Sequence, residues 1–186
     1  ALAHALRGAQ PRHTIELIWF NGEEQGLWGS RHEAAQLGNT PVVLMINLDM
    51  VGVPIGVNAL GDASLVPALT RWHDARANKL PKGVENMNWL ASDHTPYQLA
   101  GVRTVTFNGP IPRESVRHYH DMADSIDKVS AALLDDSTRV ILELVRALAE
   151  DPELAPLRRS PAETRALFTA PGLDRRMRAM DYWPFD

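Results

Sequence analysis

The segment VVLMINLDM, residues 42–50, is the stretch of sequence that decides the fold. It is a short and almost continuous run of apolar residues that carries one carboxylate, Asp49, near its end. A run of this kind is typical of a strand in a parallel sheet whose two faces are both covered by helices. We therefore predict a buried strand here, with Asp49 at its carboxyl end.

Two further segments have the same character. Residues 14–21 (TIELIWFN) and residues 102–108 (VRTVTFN) are short and rich in branched and aromatic side chains, and the first ends at an Asn-Gly turn signal. We predict a buried strand in each. Residues 53–61 (VPIGVNALG) are predicted to be extended or turn-like, and residues 80–89 (LPKGVENMNW) a polar loop.

Helical patterns alternate with these strands. Apolar side chains recur at helical spacing in four segments, which are residues 26–38, 64–78, 95–100 and 130–150. Strands that alternate with helices predict an α/β fold, with three αβα layers around a mainly parallel central sheet. Binding sites in such folds lie in the loops beyond the carboxyl ends of the strands.

The tail, residues 151–186, differs in composition, and we call it the C-terminal arm. Ser160 and Glu163 form a capping box with Pro161 at the first helical position, which predicts a short helix to about Thr169. Basic and aromatic residues follow. We interpret the segment as a helical arm that packs on the domain or on a second subunit, and a solvated terminus is the alternative.

Composition narrows the classes of function. The chain has 186 residues, of which 45% are apolar and 23% charged, as in an ordinary globular domain, and no apolar run is long enough to span a membrane. A net charge of −4 without a Lys/Arg tract argues against nucleic acid as a partner. Because there is no cysteine, any metal must be bound by His, Asp and Glu.

Four segments near strand ends carry candidate chemistry. Glu23 and Glu24 are adjacent in FNGEEQGLWGS, where one carboxylate can bind a metal while its neighbour faces water. By itself this pair is somewhat more typical of an acidic helix N-terminus, which the helix macrodipole stabilises. Asp49 ends an apolar strand, where a buried carboxylate needs a partner or a metal, and a turn or N-cap role is the alternative.

The third and fourth segments are YHDMADSIDKV and SDHTPYQLAGV. In the third segment His120 is the candidate metal ligand, and the acids after it either orient it or cap the next helix. By itself, this segment is more typical of a polar loop that leads into a helix. In the fourth segment, Ser92 and Asp93 are predicted to cap a short helix. Asp93 or His94 can instead support a metal site or face the substrate.

In their order along the chain, which is FNGEEQGLWGS, INLDMVG, SDHTPYQLAGV and YHDMADSIDKV, and in their spacing, the four segments resemble the zinc exopeptidases of metallopeptidase family 28, of the bacterial leucine aminopeptidase and glutamate carboxypeptidase type. The resemblance covers roughly residues 1–150. It implies that Glu23 is the general base that takes a proton from metal-bound water. It also implies that Glu24 and His120 bind one zinc, that Asp49 binds the other, and that Asp93 is a supporting acid.

The resemblance is incomplete at the N-terminus. The family's two further ligands, a His and a bridging Asp, precede these segments, and nothing before Glu23 fits them. We therefore expect residues 1–150 to be the C-terminal portion of the catalytic domain, with its N-terminal part missing. The full-length protein would bind two zinc ions, whereas this chain alone is expected to be inactive and to bind at most one zinc, weakly.

The resemblance implies metal-dependent hydrolysis of a terminal peptide bond in a peptide substrate, and an aminopeptidase is favoured over a carboxypeptidase. A glutaminyl cyclase-like acyltransferase and a non-catalytic binding domain of the same fold are the alternatives. Family members are commonly secreted or periplasmic, so the resemblance implies that localisation. The sequence makes no prediction of oligomeric state.

Overall fold

The computed structural model describes residues 1–185. Within that range four strands form one sheet, and they are β1 (Met45–Asn47), β2 (Gly56–Asn58), β3 (Gly83–Glu85) and β4 (Thr104–Asn108). The helices are α1 (Leu2–Ala5), α2 (Trp28–Gln36), α3 (Val66–Ala75), α4 (His94–Leu99), α5 (Ala131–Glu150), α6 (Pro161–Thr169) and α7 (Asp174–Ala179). Short 3-10 turns occupy Val116–His118 and Ile126–Lys128.

The sheet is mixed, with the strand order β1-β4-β2-β3. Strand β1 runs parallel to β4, with Ile46 opposite Val105, and β2 runs parallel to β3. The central pair, β2 and β4, is antiparallel. The predicted α/β class is confirmed, and two of the three strand pairings in the described residues are parallel.

Helices cover both faces of the sheet. On one face, Val105 and Phe107 of β4 are buried in a cluster with Trp72 of α3 and Leu144 of α5. On the other face, helices α2 and α4 pack on each other, and α4 contacts β1 and β4. Successive strand residues point to opposite faces, so the short strand β4 contributes to both layers.

The predicted helix boundaries agree well with the structure. Helix α5 starts directly after Ser130, whose side chain accepts a hydrogen bond from the Leu133 amide. Helix α6 has the predicted capping box, in which Ser160 and Glu163 each bond the other's backbone amide. In residues 1–185, no helix combines the length and the apolar character that membrane crossing requires.

The prediction of a buried strand over residues 14–21 is wrong. No backbone hydrogen bond joins residues 14–20 to a neighbouring strand in the described part of the chain, and Trp19 is 80% exposed. A cavity of about 500 Å³ separates these residues from residues 42–48, with Ile15 and Leu17 lining one side and Leu44 the other. A strand needs a paired backbone edge, and this segment has none.

The other strand predictions need smaller corrections. Only Met45–Asn47 of the predicted strand over residues 42–50 pairs within the sheet. Strands β2 and β3 lie in segments predicted to be turn-like and loop. The Asn58 side chain explains part of this result, because its amide donates to the Met87 carbonyl and its oxygen accepts from the Met87 amide. A polar side chain thus fixes a pairing that hydrophobic patterning does not reveal.

Candidate metal centre

Glu24 and His120 meet in the folded chain, although 96 positions separate them. Glu24 lies in the loop before α2, and His120 follows the 3-10 turn Val116–His118. The His120 Nδ1 atom contacts a carboxylate oxygen of Glu24, and both side chains are about half exposed. The ring centroids of His120 and Tyr119 lie 3.8 Å apart with their planes tilted by 53°, and this contact limits the orientation of the imidazole.

Glu23 faces the same group of charges. Partial burial raises the pKa of the Glu23 carboxyl, and the negative charges of Glu24, Asp49 and Asp93 raise it further, while His120 opposes the rise. These four charged groups therefore lie near enough to Glu23 to influence its ionisation. A carboxyl group with a raised pKa is a stronger base once it is ionised, which is the property a proton acceptor needs.

Asp49 accepts a hydrogen bond from a network of buried polar side chains. The Ser92 hydroxyl donates to Asp49 Oδ2 at 2.8 Å, and the Asn47 side-chain amide donates to the same hydroxyl oxygen at 2.8 Å. Asn47 and Ser92 are both buried. The predicted helix-capping role of Ser92 is therefore wrong, because its hydroxyl bonds a carboxylate and α4 has no side-chain cap.

His94 completes this network. The ring is fully buried, its Nε2 atom lies 3.0 Å from the Trp89 carbonyl, and its Nδ1 atom lies 3.5 Å from the Asn47 amide nitrogen. Since a carbonyl only accepts, Nε2 carries the proton and Nδ1 accepts from Asn47. Burial lowers the pKa of His94 to about 4, so the ring is neutral at physiological pH.

Asp93 lies beside this network rather than within it. Burial raises the pKa of the Asp93 carboxyl, the Ser30 hydroxyl lowers it, and the charge of Asp49 raises it. Its Oδ1 atom is buried without a hydrogen-bond partner in residues 1–185. Asp93 does not cap α4 through its side chain, so that part of the prediction is wrong. Its role as a supporting acid stays a prediction.

The acids after His120 do not orient it by hydrogen bonding in the described residues. Asp121 accepts from the backbone amide of Ala123. Asp127 contacts Lys128 and accepts from the Ser125 hydroxyl. These carboxylates stabilise the loop itself, as the alternative interpretation of a polar loop predicts.

Backbone strain marks the four segments. Of the six left-handed φ angles outside glycine in the described residues, four fall in or beside these segments, at Leu27 (60°), Met50 (54°), Ala91 (75°) and His120 (57°). The other two, at Leu60 (51°) and Asp181 (52°), lie elsewhere. Residues with a Cβ atom rarely adopt this conformation, and such strain concentrates at functional sites. Sequence analysis missed this feature, because a left-handed Leu or Met has no signature in the sequence.

The donor atoms fit part of a zinc site. Zinc binds carboxylate oxygen and imidazole nitrogen, usually in sets of four ligands that include any bound water. The structure brings two such donors into contact, Glu24 and His120. In residues 1–185, however, no group of three or more His, Asp or Glu side chains is close enough to hold a metal ion. Glu24 and His120 would therefore hold a zinc ion with few protein ligands, and Asp49 lies nearby on its own network.

Comparison with known proteins identifies relatives of most of the chain. The sequence matches the profile of peptidase family M28 over residues 1–145. It is 28% identical over 159 residues to the aminopeptidase YwaD of Bacillus subtilis (strain 168), a match that covers 77% of this chain and 34% of that protein. It is 22% identical over 173 residues to the glutaminyl-peptide cyclotransferase of Bos taurus, covering 72% of this chain and 46% of that one.

The fold also has solved counterparts. The structure superposes on BSAP, a zinc aminopeptidase from Bacillus subtilis, with a TM-score of 0.61 and 26% identity. That match covers 77% of this chain and 38% of the solved chain. The chain thus spans about a third to two-fifths of the aminopeptidases that it matches.

Proposed function

The chain belongs to peptidase family M28, and on that premise we propose that it forms part of a metal-dependent exopeptidase, most specifically an aminopeptidase. The observation that carries the proposal is the contact between Glu24 and His120, with Glu23 beside it. An exposed carboxylate–imidazole pair next to a carboxyl of raised pKa is suited to metal-assisted hydrolysis. The peptide substrate and the activity of the whole protein belong to this proposal.

Each residue has a distinct task. Glu24 and His120 would hold zinc, which polarises a carbonyl and makes water more acidic when bound. Glu23 takes a proton from the attacking water and then delivers it to the leaving amine. Asp49, which accepts a hydrogen bond from Ser92, would hold the second zinc ion of the whole protein. Burial raises the pKa of Glu23, and the negative charges of Glu24 and Asp49 raise it further.

The test is Glu23→Gln in the natural protein that contains this chain. Glutamine keeps the shape of the side chain and cannot accept the proton. We expect zinc content to stay the same while kcat for aminoacyl-nitroanilides falls by about 10²–10⁴-fold, the usual contribution of a general base. Unchanged hydrolysis would disprove the assignment of Glu23. Glu33→Gln on α2 is the matched control, because Glu33 lies outside the group of charges around Glu23.

The similarity to a glutaminyl-peptide cyclotransferase supports a second candidate function, an acyltransferase on the same scaffold. In a cyclisation the α-amino nitrogen of an N-terminal Gln attacks its own side-chain amide carbon, the C–N bond of that amide breaks, and ammonia leaves with the amine proton. No water attacks. Peptides with N-terminal Gln distinguish the two candidates, since cyclisation without hydrolysis of aminoacyl-nitroanilides favours the cyclotransferase. If the natural protein binds no zinc and catalyses neither cyclisation nor hydrolysis, the non-catalytic binding domain is the remaining candidate.

The remaining expectations about the whole protein are also part of the proposal. A secreted or periplasmic location and a second zinc ion come with the aminopeptidase assignment. Residues 1–150 would then contribute the C-terminal portion of the catalytic domain. Fractionation of the source cells and metal analysis of the natural protein test these points directly.

A further inference from the structure

The C-terminal arm lies outside the residues that match the family, and it packs firmly on the domain. Phe168 of α6 and Met177 of α7 are fully buried, and they form a cluster with Leu90. Tyr182 and Trp183 pack against the same cluster. Leu90 belongs to the loop that leads into Ser92 and Asp93, so the arm contacts this loop directly.

The body of the domain is shaped to accept the arm at one position. A Cβ atom on Gly101 would lie 2.6 Å from the carbonyl oxygen of Arg159, and one on Gly61 would lie 2.7 Å from a methyl carbon of Leu167. The Arg159 amide donates to the Gly101 carbonyl at 2.9 Å. The Arg159 guanidinium also pairs with the buried carboxylate of Asp62. The backbone contact at Gly101 requires glycine and leaves little freedom for the docked arm, whereas the Leu167 methyl group at Gly61 belongs to a flexible side chain.

The end of the arm contacts helix α2, which follows the segment that carries Glu23 and Glu24. The guanidinium carbon of Arg31 in α2 lies 4.9 Å from the centroid of the Tyr182 ring, within the range of a cation–π interaction. Arg31 belongs to α2, which packs on α4, the helix that directly follows residues 89–93. The neighbouring Ser30 hydroxyl donates to the Leu27 carbonyl. Burial raises the pKa of Tyr182 to about 12, Arg31 opposes the rise, and the charge of Asp93 adds to it. Tyr182 therefore lies close enough to Asp93 to sense its charge.

The loop between these two contacts is strained. Ala91 has a φ of 75°, a left-handed conformation that an alanine keeps only when its neighbours hold it there. On one side of Ala91, Leu90 is packed under Phe168 and Met177. On the other side, Ser92 donates to Asp49.

We propose that the C-terminal arm is a positioning element for the candidate metal centre. Through Tyr182 on Arg31 and through its packing on Leu90, it holds residues 89–93 in the conformation that places the Ser92 hydroxyl on Asp49. The effect of the arm on metal binding rests on the proposed function. The effect of the arm on the loop is independent of that function, because the conformation of residues 89–93 can be measured without metal.

The test uses the natural protein that contains this chain, with Tyr182→Ala, which removes the ring under Arg31. Met180→Ala is the matched control, because Met180 lies two residues earlier in the arm and is 56% exposed. Tyr182→Phe is the rescue variant, since it keeps the ring and the Tyr182 hydroxyl has no hydrogen-bond partner in the described residues. If Tyr182→Ala does not fold, Arg31→Gln breaks the same contact from the other side.

The first measurement is amide hydrogen exchange in peptides that cover residues 89–95. The Thr95 amide, which donates to the Ser92 carbonyl, reports on the loop. We expect exchange to accelerate by about tenfold in Tyr182→Ala and to stay unchanged in Met180→Ala and Tyr182→Phe, with no change in α5. Equal exchange in Tyr182→Ala and Met180→Ala would overturn the proposal.

The second measurement is the affinity for Zn²⁺ alone, by competition with a chelator. We expect Tyr182→Ala to weaken it by about tenfold, as loss of a partner of a metal ligand does. In a Ser92→Ala background the same change should cause no further loss, because the arm acts through Ser92. Additive losses would overturn the proposal. If the unchanged protein binds no Zn²⁺, the proposed metal site of this chain is wrong, and hydrogen exchange still decides the role of the arm.

Discussion

Ser92 donates a hydrogen bond to the carboxylate of Asp49 across 43 positions of sequence, with 2.8 Å between Ser92 Oγ and Asp49 Oδ2. The bond joins the loop after β1 to the loop before α4, so it links two of the candidate segments. Asn47 and His94 support it from the buried side. The orientation of Asp49 therefore depends on a network that only the folded chain assembles, and the first prediction follows from it.

Replacement of Ser92 by alanine removes a hydrogen bond to a charged group and leaves the Asn47 side-chain amide with only the longer contact to His94 Nδ1, at 3.5 Å. We expect the free energy of unfolding to fall by about 2 kcal/mol, as measured by urea denaturation. Ser64→Ala is the control, because it removes a Ser–Asp bond made by an exposed serine. An equal loss in the two variants would show that the buried network adds nothing.

Replacement of His120 by glutamine removes one of the two donors in contact. Loss of a group that only supports a ligand weakens metal affinity by about 10–100-fold, so loss of the ligand itself should cost at least as much. We expect this loss in a titration of the chain with Zn²⁺. His118→Gln is the control, because the His118 ring accepts from Arg117 and does not contact Glu24. The same loss in His118→Gln would contradict the assignment.

The buried His94 makes stability depend on pH. Its folded-state pKa of about 4 lies below the ordinary value of 6.5, so between these values the unfolded chain binds the extra proton. Stability is complete above pH 6.5 and falls as the pH drops toward 4, by about 3 kcal/mol from this residue. Urea denaturation across this range should show the loss in the wild-type chain and a smaller one in His94→Gln. Parallel curves for the two proteins would contradict a neutral, buried His94.

Substitutions at two glycines distinguish the free-energy cost of a strained backbone from the cost of a clash with the docked C-terminal arm. Gly101 and Gly172 have similar φ angles, +80° and +77°, but only Gly101 lies against Arg159, while nothing lies within 4 Å of a Cβ atom at Gly172. We expect Gly172→Ala to cost about 1–2 kcal/mol of unfolding free energy, and Gly101→Ala a further 1–3 kcal/mol. Thermal or urea denaturation measures both. Equal losses of unfolding free energy in Gly101→Ala and Gly172→Ala would contradict a tight contact between Gly101 and the arm.

Much of the architecture could be predicted because its causes are local. The Ser160–Glu163 capping box predicts the start of α6, and the apolar stripe after Ser130 predicts α5. Segments with carboxylates and histidine after predicted strands also identified Glu23, Glu24, Asp49 and His120 as candidates. These signals depend on interactions among residues a few positions apart, which the order of the amino acids states directly.

The errors have one physical cause, which is that they concern partners distant in sequence. Residues 14–21 have the composition of a strand, yet their backbone lies across a cavity from residues 42–48 and pairs with nothing in the described chain. Residues 83–85 look like a polar loop, yet they pair with β2 beside Asn58. The composition of a segment indicates whether its side chains suit a β-sheet. Whether the segment pairs depends on which strand edge the folded chain places beside it.

The sequence by itself determined the α/β class, the helices with local caps and the four segments that resemble family M28. Only the tertiary structure decided that Glu24 meets His120, that Ser92 bonds Asp49 instead of capping α4, and that Tyr182 reaches Arg31. The physical reason is that helix formation depends on contacts within about four residues, whereas these pairs exist only once distant segments close on one another.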